Sequence, residues 1–247
     1  MSTLREALAA NEQVWGGWVV GPTVIGPDEY ARAGYDYVGF DLQHGYFDDA
    51  DVALLLRRLE HVPIGTAVRL ASTDPVPIGR LLDAGADTVL VAMVESANQA
   101  ADAVAAARYP PAGVRSFGPL LPGLGNDPAA LEARVSVFAM VETEHGVAAV
   151  NEICTVPGLS GVYVGPADLA ISMGYKPADA WKQPAVTDAI ARIASVTSSA
   201  GLIAGVHAGD GKLGNLASQW GFRMITLASE SQALRRGATE HLKEATR

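Results

Sequence analysis

One unit recurs along the chain and restricts its fold more than any single motif does: a helix-like stretch, a glycine, then an apolar run with polar residues at its far end. It reads "ARAGYDYVGFDLQHG", "LLDAGADTVLVAMVES", "SSAGLIAGVHAGD" and "SQWGFRMITLASE". Glycine suits the left-handed position that closes a helix, which accounts for its place before each run. Runs with almost no polar interruption, separated by helical segments, are the pattern of parallel strands covered on both faces. Such runs lie at about 14–20, 35–41, 64–70, 88–94, 136–142, 161–165, 203–207 and 222–228. Eight strands alternating with helices predict an α/β fold of the (β/α)8 barrel kind, preceded by a helix near residues 2–11. A doubly wound open sheet is the other architecture this pattern allows.

The 247 residues are 49% hydrophobic and 18% charged, enough apolar side chain for one large core. No linker or compositional break divides them, so residues 1–247 are read as a single barrel domain. No apolar run approaches the roughly 18 residues of a membrane span. The N-terminal "MSTLREALAANE" lacks the basic and apolar regions of a signal peptide, so a cytoplasmic protein without a membrane partner is expected. A net charge of −9 argues against nucleic acid as a partner. Cys154 is the one cysteine and reads as a small hydrophobe in packing. The Pro- and Gly-rich stretch 108–128 is long for a connection and is either a functional loop or an interface element.

In a barrel, side chains at the C-terminal ends of the strands converge on one face, where such enzymes place their chemistry. Those ends carry Trp18, Asp41 with His44, Arg69, Glu142, Asp168 and His207. Glu142 closes "VSVFAMVE" and Asp168 closes "GVYVGPAD"; two such carboxylates can hold a hard divalent cation and leave positions for water and substrate. Each acid could also simply begin or cap the following helix. Arg69, at the end of "IGTAVRL", has a planar fork suited to a carboxylate or an enolate oxygen, or to an ion pair at the strand end. No lysine lies at a strand end, which disfavours a Schiff-base mechanism.

Taken together, "FDLQHG", "AVRL" with "LLDAGADTVLVAMVES", "RYPPAGVR", "VETEHG" and "GVYVGPADLAISMGY" resemble the HpcH/HpaI aldolases, metal-dependent class II pyruvate aldolases of the phosphoenolpyruvate/pyruvate barrel superfamily. The resemblance runs from about residue 14 to 230. It implies a (β/α)8 barrel that assembles as a homo-hexamer, a trimer of dimers in which a C-terminal helix is exchanged between subunits. It also implies reversible cleavage of 4-hydroxy-2-oxo acids to pyruvate and an aldehyde, dependent on Mg2+, Mn2+ or Co2+.

Carried over by position, the resemblance makes Glu142 and Asp168 the metal ligands and Arg69 the group that stabilises the enolate oxygen. His44 resembles the family's base, hydrogen-bonded to an acid that here would be Asp83. The amides of Ala167 and Asp168 resemble the pyruvate carboxylate cradle, Gly165 a substrate-binding position, Trp18 a pocket wall, and Asp41 a site or interface residue. Two positions depart from the pattern: Gln43 stands where Glu is common before the histidine, and His207 stands where relatives are often apolar, close to the aldehyde side. His61, His145 and His241 read as surface or helix-end residues.

Two other readings are compatible with the same residues. One is a superfamily lyase or synthase acting on a CoA ester or a citrate-like acid, although the long loop offers only Arg108 and Arg115 to a CoA. The other is a silent barrel that binds a metal and a 2-oxo acid without turnover.

Overall fold

The structure, a computed structural model, describes residues 3–10 and 13–246. Eight parallel strands close into a barrel in chain order: β1 (Val14–Val19), β2 (Tyr37–Asp41), β3 (Gly65–Leu70), β4 (Thr88–Val91), β5 (Ser136–Val141), β6 (Gly161–Val164), β7 (Ile203–His207) and β8 (Met224–Ser229). The helices are α1 (Leu4–Ala10), α2 (Gly26–Arg32), α3 (Asp49–Arg58), α4 (Pro75–Asp83), α5 (Ala97–Ala107), α6 (Pro128–Ala133), α7 (Glu144–Ile153), α8 (Pro166–Ser172), α9 (Pro184–Ser199), α10 (Gly211–Gln219) and α11 (Glu230–Ala245). All eight strands fall where the apolar runs lie, and closure of the sheet excludes the open doubly wound arrangement. The helix expected near 2–11 is α1; positions 2 and 11 lie outside the described residues.

The repeated glycine has the expected physical basis. Gly34, Gly85, Gly201 and Gly221, one from each copy of the unit, all adopt positive φ, between 74° and 108°. A side chain there would be strained, so glycine lets the chain leave the helix and enter the next strand directly.

Both faces of the sheet are covered, which is why the strands tolerate so few polar residues. Between barrel and helices lies a layer of Val, Leu, Ile and Ala, including Val38, Phe40, Val68, Leu81, Val137 and Ile190. Each fully buried side chain of this size contributes roughly 1.5–3 kcal/mol relative to exposure. A second cluster fills the barrel interior, where Trp18, Tyr37, Leu90, Phe138, Met140, Tyr163 and Met224 pack with Leu4 and Leu8 of α1. That contact places α1 across the N-terminal end of the barrel and leaves the C-terminal end open. Large rings fit inside because small residues face them. A Cβ on Gly39 would stand 2.3 Å from the Trp18 ring, so Gly39 makes the room in which that indole lies.

Most polar residues just beyond the strand ends are helix caps. Asp48 caps α3 in a reciprocal box with Asp51, Thr143 caps α7 and Asp210 caps α10. Their carboxylates or hydroxyls take up amides that a helix start leaves unpaired. The residues at this face that cap nothing are therefore the informative ones.

Candidate active site

The open end of the barrel forms a cavity of about 770 Å3 whose wall includes Trp18, Asp41, His44, Arg69, Gly165, Ala167, Asp168 and His207. Eight residues singled out from scattered sequence positions thus meet in one place, because each closes or follows a strand of the same closed sheet. The wall also recruits Tyr163, Trp181, Leu213 and Arg235, which no strand-end rule would select. No lysine is among the residues lining the cavity.

At the centre is an ion pair built by strand register. Asp41 lies directly opposite Arg69 across β2 and β3, and the guanidinium engages the carboxylate with two nitrogens: Nε donates to Oδ1 at 2.9 Å and Nη2 donates to Oδ2. The Trp18 indole N–H donates to the same carboxylate at 3.2 Å, and the backbone amides of Gln43 and His44 donate at 3.1 and 3.0 Å. Burial alone would raise the Asp41 pKa, but the Arg69 hydrogen bonds and charge, with the His44 amide and Trp18, outweigh it and hold the carboxyl below its usual range. Asp41 therefore performs two tasks. It fixes Arg69, whose guanidinium also lies 5.5 Å from the Trp18 ring centre, and it ties down the turn that presents His44.

His207, at the end of β7, packs edge-on against Trp18 with ring centres 5.5 Å apart. Burial and then the Arg69 charge lower its pKa to about 4, so the imidazole is neutral at pH 7.

Glu142, directly after β5, lies beneath the cavity and is almost fully buried. Its Oε1 accepts the Met93 amide at 2.9 Å, while its Oε2 is buried without a hydrogen-bond partner. Burial pushes its carboxyl up to about 7; the Met93 amide works against this and the nearby Asp168 charge adds to it. A Cβ on Gly165 would stand 2.1 Å from that Oε2, so glycine at 165 opens the space in front of the orphaned oxygen. A buried, unpartnered carboxylate oxygen beside a second carboxylate is the donor arrangement that a hard divalent cation satisfies. No group of three or more His, Cys, Asp or Glu able to hold a metal occurs among the described residues, so Glu142 and Asp168 would leave most of the coordination sphere to water and substrate.

The pairing of His44 with Asp83 does not form within the chain. Asp83 is the last residue of α4, five positions before β4 starts, and so sits toward the opposite end of the barrel from His44. There its carboxylate accepts from Arg115 at 2.7 Å, and the Arg115 guanidinium stacks 4.7 Å from the Tyr109 ring centre. The 108–128 loop is thereby pinned to the end of α4, with the Leu120 amide donating to the Asp83 carbonyl at 2.7 Å. The two arginines that a CoA would need are committed, Arg115 to Asp83 and Arg108 to Glu132. His145 is exposed at the start of α7, outside the cavity.

Comparison with known proteins agrees with this architecture. The family model for HpcH/HpaI aldolase/citrate lyase matches residues 16–236. A hydroxypyruvate/pyruvate aldolase of Rhizorhabdus wittichii is 32% identical over 248 residues, covering 99% of each chain. A 4-hydroxy-2-oxo-heptane-1,7-dioate aldolase of Salmonella arizonae is 33% identical, covering 96% of this chain and 92% of the relative. The crystal structure of an HpcH/HpaI aldolase/citrate lyase family protein from Burkholderia cenocepacia superposes with a TM-score of 0.89 at 31% identity over the whole of both chains. The chain belongs to the HpcH/HpaI aldolase/citrate lyase family.

Proposed function

We propose that the chain is a class II pyruvate aldolase, a carbon–carbon lyase that reversibly cleaves 4-hydroxy-2-oxo acids to pyruvate, or a related 2-oxo acid, and an aldehyde. The observation that carries this reading is the juxtaposition, at one cavity, of the Asp41–Arg69 pair and Asp168 on its wall with the buried, half-unpartnered Glu142 directly behind Gly165. Relatives named as hydroxypyruvate/pyruvate and 4-hydroxy-2-oxo-heptane-1,7-dioate aldolases support the substrate class.

A Mg2+, Mn2+ or Co2+ ion held by Glu142 and Asp168 would act as a Lewis acid toward a bound 2-oxo acid. Arg69, locked to Asp41 through Nε and Nη2, keeps its remaining donor capacity for the oxygen that becomes the enolate. The amides of Ala167 and Asp168 lie in the first turn of α8, where intrahelical acceptors are lacking, and would take the substrate carboxylate. His44, exposed on the cavity wall, is the group able to exchange a proton with C3 of pyruvate or with the aldehyde oxygen. His207, neutral and packed against Trp18 on the cavity wall, offers a hydrogen bond to a hydroxylated acceptor. The testing experiment is turnover of pyruvate with a panel of aldehydes, repeated in His207→Leu. Absence of carbon–carbon bond formation with every aldehyde removes the reading, and an unchanged acceptor ranking removes His207 from it.

Metal dependence has its own expected outcome. Prolonged chelation should abolish turnover and Mn2+ should restore it, whereas Asp168→Ala should remain inactive at Mn2+ concentrations that saturate the wild type. Full activity in chelated protein, checked by elemental analysis, would contradict the assignment.

The quaternary arrangement belongs to the same reading. α11 buries none of its residues within the chain, and Leu234 and Leu242 on it are 73% and 65% exposed. Val76, Val114 and Leu120 form a second exposed apolar set along α4. Apolar surface of this kind calls for a partner, and a homo-oligomer, a hexamer built as a trimer of dimers with segment 229–245 packed on a neighbouring subunit, supplies one. Sedimentation at micromolar concentration should show an assembly that dissociates when the chain is cut after residue 229. A full-length chain sedimenting as a 25.7 kDa monomer would contradict it.

A further inference from the structure

We infer that Met93 is a positioning residue for Glu142: its left-handed backbone takes one amide out of the sheet and fixes it on Glu142 Oε1, which leaves Oε2 as the atom free to bind a metal. The inference rests on the reading of Glu142 as a metal ligand. Met93 is the only residue other than glycine with positive φ among the described residues, at 56°. Methionine has no side-chain group that favours this conformation, so the surroundings must impose it.

The sheet ladder shows what the turn accomplishes. In a parallel strand, successive residues face alternate neighbours. Odd-numbered positions along β4 face β5, since the Asp87 carbonyl accepts from Ser136, and even-numbered ones face β3, since the Ala92 amide donates to the Leu70 carbonyl. Regular continuation would have Met93 donate to β5 at the Met140 carbonyl. That carbonyl instead accepts the amide of Val94 at 3.0 Å. One extra residue has been inserted, as in a β-bulge, and the displaced Met93 N–H reaches Glu142 Oε1 at 2.9 Å. Bulges of this kind re-aim groups beside active sites.

The carboxylate is consequently held from both sides. Oε1 is engaged by a backbone donor that cannot rotate away, and Oε2 projects into the space that Gly165 leaves open. An ordered ligand of this type binds metal more tightly than one free to rotate, because its orientation is fixed before the ion arrives. The Met93 side chain, 43% exposed, is not needed for this; the backbone conformation is.

The test is calorimetric titration of chelator-stripped protein with Mn2+. Met93→Gly keeps the amide and adopts positive φ without strain, and its affinity should stay within about threefold of the wild type. Met93→Val, whose branched side chain opposes that conformation, should lose roughly 10- to 100-fold. Should the valine variant not fold, hydrogen–deuterium exchange answers the question. In Glu142→Ala, residue 93 should exchange faster while residue 94, bonded to Met140, keeps its protection. Wild-type affinity in Met93→Val, a loss in Met93→Gly as large as in Met93→Val, or unaltered exchange at residue 93 would overturn the inference. Glu142→Ala is titrated alongside. Wild-type Mn2+ affinity there defeats the metal-ligand reading itself, whereas lost affinity there with an unaffected Met93→Val defeats only the role of Met93.

Discussion

Replacing His44 with alanine is expected to lower aldol turnover and exchange of the pyruvate C3 protons by roughly 10²- to 10⁴-fold, the usual loss on removing a positioned acid or base, while largely sparing decarboxylation of oxaloacetate. The two reactions share an enolate but reach it differently. Aldol chemistry moves a proton off C3 of pyruvate or between solvent and the aldehyde oxygen. Oxaloacetate forms the same enolate by losing CO2, and that step needs no base. The geometry separates the two requirements: His44 sits exposed on the wall, whereas Arg69 is buried and locked to Asp41. Arg69→Ala should accordingly damage both reactions, because in the proposed function its guanidinium serves the shared intermediate. Since Asp83 is engaged with Arg115, Asp83→Asn should act first on the 108–128 loop, and within the chain it has no direct route to the imidazole. Equal losses of both activities in His44→Ala, with metal content unchanged, would show that His44 acts on the enolate and is no proton shuttle.

How much of this was legible in the sequence depends on the range over which each feature is encoded. The barrel was legible because its cause is local: Gly34, Gly85, Gly201 and Gly221 each mark a helix end, and the apolar runs behind them set the strand count. Convergence of Trp18, His44, Arg69, Asp168 and His207 followed once strand ends were assumed to share a face. The Asp41–Arg69 pair was not legible, since it depends on the register between β2 and β3, and nothing in either strand alone declares that register. Within the chain Asp83 does not meet His44, for a related reason. A motif position carried over by resemblance says nothing about which end of a helix faces the cavity, and α4 carries Asp83 away from it. Met93 gave no signal, because a methionine in an apolar run reads as one more strand residue. The tertiary structure imposes its left-handed turn against the local preference, and such disagreements between local preference and fold are expected to gather at functional sites.

Loss of the Asp41 carboxylate is expected to be the most damaging single change in the molecule, affecting stability and both activities together. Asp41→Ala would leave the Arg69 guanidinium buried with its two hydrogen bonds to the carboxylate gone, and breaking a buried pair by removing one partner typically costs about 3–5 kcal/mol. For a chain of this size that corresponds to a fall of roughly 6–20 °C in melting temperature. The same change frees the Trp18 indole N–H and the amides of Gln43 and His44, so the turn presenting His44 loses its anchor as well. Asp41→Asn separates the contributions: an isosteric amide can still accept from Trp18 or a backbone amide, but it removes the charge and presents donors toward Arg69. It should therefore retain more stability than the alanine variant while losing aldol turnover and oxaloacetate decarboxylation alike, because Arg69 is no longer fixed for the enolate. This pattern differs from that of His44→Ala, which leaves decarboxylation standing. Thermal melts recorded with both assays decide the matter. An Asp41→Ala variant that melts within about 2 °C of the wild type, a shift of no more than about 1 kcal/mol, and still decarboxylates oxaloacetate normally would show that Arg69 finds another partner and that the register of β2 against β3 does not control the chemistry.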